Sequence, residues 1–145
     1  MNRIVPALVS LSLLSVSAVT FADDAKPYKD GPVSDVSFIR TKPGRSEDYM
    51  KFLAGTYKKE MEAYKAAGLI TDYAVFTVEP RTPNDPDLIL TVTYANMAAL
   101  DKTEEFEAID KKVLGSMEDQ SKAMIGRGPM RDVLGSELIR QQILK

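Results

Sequence analysis

Three groups of side chains in this sequence have the types and spacing for chemistry. Tyr73, Thr91 and Thr93 recur at alternate positions in apolar, β-branched stretches, and Arg40, Arg140 and Gln142 stand in similar stretches nearer the ends. A mostly apolar cavity with a few convergent hydrogen-bonding groups is the form a small-molecule site takes. In such a space a tyrosine can hold or deprotonate a phenolic ligand, and an arginine can hold a carboxylate. The same residues also suit a packed interface, whose core favours Tyr and Arg without any ligand. The second group is Arg127 and Arg131, four residues apart, with Asp132 and Glu137 nearby. If the segment is helical the two arginines share a face, and two guanidiniums together can clamp an anion. Surface pairing with Asp132 and Glu137 is the plainer alternative. The third group, Asn84, Asp85 and Asp87, offers oxygen ligands. Its spacing does not match a calcium loop, and Asn and Asp beside Pro are ordinary turn residues.

What is missing narrows the chemistry further. The 145 residues include no Cys, no His and no Trp. That removes a thiolate nucleophile, a histidine base, a Ser-His-Asp triad and imidazole ligands for zinc or haem. No cofactor and no metal is therefore expected. The net charge of −2, with no basic stripe, argues against nucleic acid and against anionic lipid as partners.

The N-terminus predicts export. Arg3 precedes an apolar, serine-containing run from Ile4 to Phe21, and small residues at Thr20 and Ala22 lead into Asp23 and Asp24. This is the pattern of a cleavable secretory signal over residues 1–22, giving a periplasmic or secreted protein. No second apolar run is long enough to span a membrane, so no membrane association is expected after cleavage. Residues 23–32 read as a flexible leader, and 33–145 as one domain.

Within that domain, Val33 to Thr41 alternates and reads as a first strand. Ser46 is placed to cap a helix over 46–67, whose apolar stripe is Met50, Leu53, Tyr57, Met61 and Tyr64, ending at Gly68. Ile70 to Val78 and Leu88 to Tyr94 read as a hairpin across a proline-rich loop. Asn96 begins a second helical region with the stripe Leu100, Phe106, Ile109, Val113, Met117 and Met124; Gly115 can interrupt it and Ser116 can cap a new segment. Leu138 to Leu144 reads as the last strand.

The order β-α-β-β-α-β predicts an α+β, ferredoxin-like fold: a four-stranded antiparallel sheet with helices on one face. Pairing Val78 with Leu88 puts Ala74 and Phe76 with Leu90 and Val92 toward the helices. It leaves Ile39, Tyr73, Val75 and Ile89 on the other face, with Thr91 and Thr93. Such a patch needs a cover, and a second copy of the chain is the simplest one.

The segment from Asp35 to Lys145 resembles the dimeric α/β-barrel superfamily. The phrases KPGRSEDYMKFLAGTYKK, PNDPDLILTVTY and RDVLGSELIRQQILK are similar to a group of small exported bacterial proteins without an assigned activity. The resemblance implies two ferredoxin-like sheets packed face to face. Antibiotic-biosynthesis-type monooxygenases and stress-responsive barrel proteins belong to that superfamily. Its haem-degrading and chlorite-converting members rely on His, and the former also on Trp, both absent here. Two functions are therefore expected as alternatives. One is an exported, non-catalytic homodimer that binds a small apolar or aromatic ligand or is purely structural. The other is a cofactor-free monooxygenase- or isomerase-like enzyme acting on a small aromatic or polyketide-like substrate between the sheets.

Overall fold

The computed structural model describes residues 26–145; the expected signal peptide and residues 23–25 lie outside the described residues. Four strands, β1 (Tyr28–Thr41), β2 (Asp72–Thr77), β3 (Leu88–Tyr94) and β4 (Arg131–Leu144), form one antiparallel sheet in the order β2-β3-β1-β4. Four helices join them: α1 (Ser46–Phe52), α2 (Lys58–Ala66), α3 (Thr103–Leu114) and α4 (Met117–Arg127). This is the expected α+β architecture.

The first and last strands in the chain are both longer than their local patterns predict. β1 begins at Tyr28, so residues 28–32 of the expected leader belong to the sheet, with Tyr28 opposite Leu144. Their polar composition hid the strand. Cross-strand pairing with β4 holds it, and a bulge between Asp30 and Val33 accommodates Gly31 and Pro32. A Cβ at Gly31 would stand 3.0 Å from the carbonyl oxygen of Gln141, so any larger residue would need β4 to give way by a few tenths of an ångström. β4 begins at Arg131 and not at Leu138, because its whole length pairs with β1.

The register of the hairpin differs from expectation by one residue. Thr77, not Val78, lies opposite Leu88, and Val75 lies opposite Leu90. Val78 has already left the strand and donates its N–H to the carbonyl oxygen of Asp87 at 2.8 Å. A slip of one residue exchanges the faces. Tyr73 and Val75 therefore pack under the helices, while Ala74 and Phe76 face away. Ile39 also points to the helices, leaving only Ile89 of the four residues expected on the other face.

α1 and α2 form one continuous helix through a wide π-turn, Leu53–Tyr57. Its buried residues are Tyr49, Leu53, Met61 and Tyr64, and the expected Met50 is exposed. Steps of four overrun a turn of about 3.6 residues; the wide turn absorbs the surplus and keeps the stripe on the sheet. Ser46 is the first helical residue and makes no capping bond; Arg45 occupies the cap position. Gly68 ends the helix at φ 71° as expected.

The second helical region is divided. Asn96 accepts the N–H of Ala99 at 3.2 Å and caps a short 3-10 turn, Met97–Asp101. α3 stops at Gly115, whose φ is 93°, and Ser116 caps α4 through a reciprocal bond with Asp119. Met117 and Met124 are 78% and 65% exposed, so the second half of the expected stripe is not core. The core lies between the sheet and α1–α2. One cluster holds Ile39, Tyr49, Leu53 and Leu88, and another holds Met61, Tyr64, Leu69 and Ile70. Among the described residues no helix is long and apolar enough to cross a membrane.

Candidate functional site

The corrected register divides the residues expected to converge between two sheets. Thr91 and Thr93 do stand on the face away from the helices, where the Thr93 and Ser34 hydroxyls are 2.9 Å apart. Around them lie Val36, Phe38, Ala74, Phe76, Ile89 and Ile139. Phe76 is 52% and Ile139 50% exposed. Glu137, opposite Val36, puts a charged side chain on this face.

Tyr73 is on the other side. Its ring meets Tyr57 edge-on at 6.1 Å and its hydroxyl donates to Glu62 at 2.6 Å. That hydrogen bond to a carboxylate pushes the Tyr73 pKa up to about 12. Arg140 lies opposite the buried Val33 and is paired with Asp30 at 3.0 Å, and Gln142 follows it on the same side. Tyr73, Arg140 and Gln142 therefore do not converge with Thr91 and Thr93. Arg40 is tied at the sheet end, donating to the carbonyl oxygen of Pro83 at 2.8 Å and standing 3.6 Å from Asp132.

Arg127 and Arg131 do come together, though not on one helix face. Arg127 closes α4 and Arg131 opens β4. Each guanidinium covers an aromatic ring: Arg127 lies 5.3 Å from the Phe52 centroid and Arg131 5.5 Å from that of Tyr49. Those two rings are themselves stacked at 5.8 Å. Asp132 does not neutralise the pair; its carboxylate is held 2.6 Å from the Lys42 ammonium. Glu137 is on the opposite face.

The loop residues behave as turn formers. Asp85 accepts the backbone N–H of Arg81 and of Thr82, at 3.0 and 2.8 Å. Asn84 gives its N–H to the Thr82 hydroxyl at 3.3 Å. Asp87 accepts the N–H of Thr41 at 2.9 Å and also its hydroxyl. Among the described residues no group of three or more acidic, His or Cys side chains could hold a metal ion.

A group of titratable side chains meets on the helix side. Tyr64 donates its hydroxyl to Asp110, 46 positions away, and stands 3.1 Å from Glu60. Burial pushes the Glu60 carboxyl above its usual range. The Tyr57 hydroxyl is buried without a partner, and burial followed by Glu60 raises its pKa strongly. Asp35, on the helix side of β1, is also raised by burial. The Glu60–Tyr64 spacing of one helical turn is visible in the sequence; their meeting with Asp110 depends on how α3 packs on α2.

No protein-family model matches the sequence, and no curated protein does. Solved structures do. A protein of Shewanella oneidensis, SO0527, matches with a TM-score of 0.50 at 16% identity, covering 80% of this chain and 98% of that one. A dimeric ferredoxin-like protein from an uncultured marine organism matches with a TM-score of 0.50 at 13% identity, covering 81% of this chain and 90% of that one. At such identities the likeness is one of fold, and the chain has the ferredoxin-like fold.

Proposed function

We propose that the mature chain is exported and acts as a homodimer closed by the open faces of two sheets, a binding or structural protein and not a catalyst. The observation that carries this reading is the uncovered apolar face, with Phe76 and Ile139 about half exposed beside Phe38 and Ile89. Apolar patches of this kind are unusual on monomers. A two-fold pairing brings the same patch against itself and buries both copies. The marine protein of the same fold, itself described as dimeric, supports the pairing. Ser34, Thr91 and Thr93 supply hydroxyls on a largely apolar face that also carries Glu137, which suits a small, mainly apolar or aromatic ligand.

The enzymatic alternative needs Tyr73 and Arg140 between the sheets, and both lie on the helix side. That favours binding over catalysis at this face. Sedimentation of the mature protein at micromolar concentration tests the pairing, with a dimer expected; a monomer with its sheet face open to solvent rejects it. N-terminal sequencing of exported material tests the processing and should begin at Asp23. A soluble cytoplasmic protein starting at Met1 rejects export.

A further inference from the structure

We infer that Arg127 and Arg131, held over the stacked Tyr49–Phe52 rings, form a binding site for the carboxylate of a small apolar organic acid. Three observations lead there. First, no ion pair among the described residues includes either arginine. Second, the Nε atom of each is buried with no hydrogen-bond partner. Third, both guanidiniums act electrostatically on the Tyr49 hydroxyl, so the two positive charges share one neighbourhood. Two cations held close together repel each other, neither has an ion-pair partner among the described residues, and a bound anion relieves that repulsion. The rings hold the guanidinium planes by cation–π stacking. The planar fork of each guanidinium matches a carboxylate.

The neighbouring groove selects among anions. About 160 Å³ of space opens beside Arg127, lined on its apolar side by Phe52, Leu114, Ala123 and Met124. That suits a small hydrocarbon or aromatic body attached to the carboxylate. Glu60 and Asp110 border the same groove, and their negative charge disfavours a dianion such as phosphate. Neither arginine lies on the open sheet face, so the site stands whether or not two sheets pair.

The test uses the mature protein labelled with 15N and titrated with sodium benzoate, reading the Nε–H signals of arginine. The expected result is a saturable shift of the Arg127 and Arg131 signals, with acetate weaker and inorganic phosphate weaker still. Arg127→Gln and Arg131→Gln should each lower benzoate affinity about tenfold or more, a loss equivalent to 1.4 kcal/mol or more. Far-UV circular dichroism checks that the variants remain folded. Should they not fold, the titration of the unaltered protein still decides. Absence of a saturable shift at millimolar benzoate overturns the site. So does unchanged affinity in both folded variants. Phosphate binding as tight as benzoate overturns the assignment to an apolar carboxylate.

Discussion

The Tyr64 hydroxyl on α2 donates to the carboxylate of Asp110 on α3, while Glu60, one turn back on α2, stands 3.1 Å from the same oxygen. A phenol has one proton to donate. The single hydroxyl proton is therefore shared between two acceptors, Asp110 and Glu60. Burial raises the Glu60 pKa, and the hydrogen bond from Tyr64 works against that rise. Three side chains thus join two helices through one hydroxyl.

Tyr64→Phe should lose about 1–3 kcal/mol, because it removes the donor and leaves a part-buried carboxyl unsatisfied. Glu60→Gln should cost less, about 1 kcal/mol or below, since the amide oxygen can still accept from Tyr64 and the stronger bond to Asp110 is kept. Urea unfolding of both variants measures this. Equal losses in the two would show that the Glu60 contact carries as much of the network as the Tyr64–Asp110 bond.

Buried carboxyl groups set the pH dependence on the acid side. Asp35 and Glu60 are both raised, so each binds its proton more tightly folded than unfolded. Stability should therefore rise as pH falls from neutral through their folded pKa values, and level off below the ordinary carboxylate value of about 4. Asp72, Asp119 and Asp132 are lowered by hydrogen bonds to Lys65, Ser116 and Lys42 respectively. Their contribution is present above the ordinary value and lost below it, and it is small because the groups are exposed. The urea midpoint should peak at about pH 4–5. A midpoint that falls steadily from pH 7 to 5 contradicts the buried-acid account. On the alkaline side Tyr57 and Tyr64 are raised, so stability should fall once unfolded tyrosine ionises above about pH 10.

The α3–α4 junction is a separate stability test. A Cβ on Gly115 would stand 2.9 Å from an Asp119 carboxylate oxygen, at a φ of 93° that side chains rarely adopt. Gly115→Ala should cost about 1–2 kcal/mol, and Ser116→Ala about 1 kcal/mol through loss of the cap. α4 buries none of its residues, so hydrogen exchange should show the damage concentrated in Met117–Arg127. Uniform loss of protection across the sheet would mean that α4 is more tightly coupled to the core than its exposure indicates.

Element order, β3 and the left-handed end at Gly68 were legible because strong local patterns agree with the fold. The cap at Ser116 is legible for the same reason, since it acts within one turn; its reciprocal bond with Asp119 is seen only in the structure. What failed depended on distant partners. Tyr28–Asp30 are strand only because Gln142–Leu144 lie beside them. Both faces of β2 carry apolar or aromatic residues, so its alternation could not choose between Thr77 and Val78 as the partner of Leu88. That single choice moved Tyr73 out of the expected ligand space. Arg127 and Arg131 were picked out by spacing, but a helix end, a strand start and two rings bring them together, none of which i,i+4 geometry anticipates.

The two faces of the hairpin can be separated by a matched pair of substitutions. Val75 lies opposite Leu90 and packs on the cluster of Ile39, Tyr49, Leu53 and Leu88 beneath α1. An aspartate there places a carboxylate in the apolar layer, so Val75→Asp should cost roughly 2–4 kcal/mol of folding stability. Ile89 lies opposite Phe76 and Phe38 on the open face. In an isolated subunit an aspartate at that position keeps its water, and the cost is about 1 kcal/mol of strand preference. In a closed dimer it is buried against its symmetry mate, so Ile89→Asp should yield a folded monomer. Sedimentation and thermal unfolding on the two proteins give the comparison. If Val75→Asp dissociates a dimer without loss of stability while Ile89→Asp unfolds the chain, the register is the one with Val78 opposite Leu88. If Ile89→Asp remains a dimer of unaltered stability, the open face is not where two copies meet.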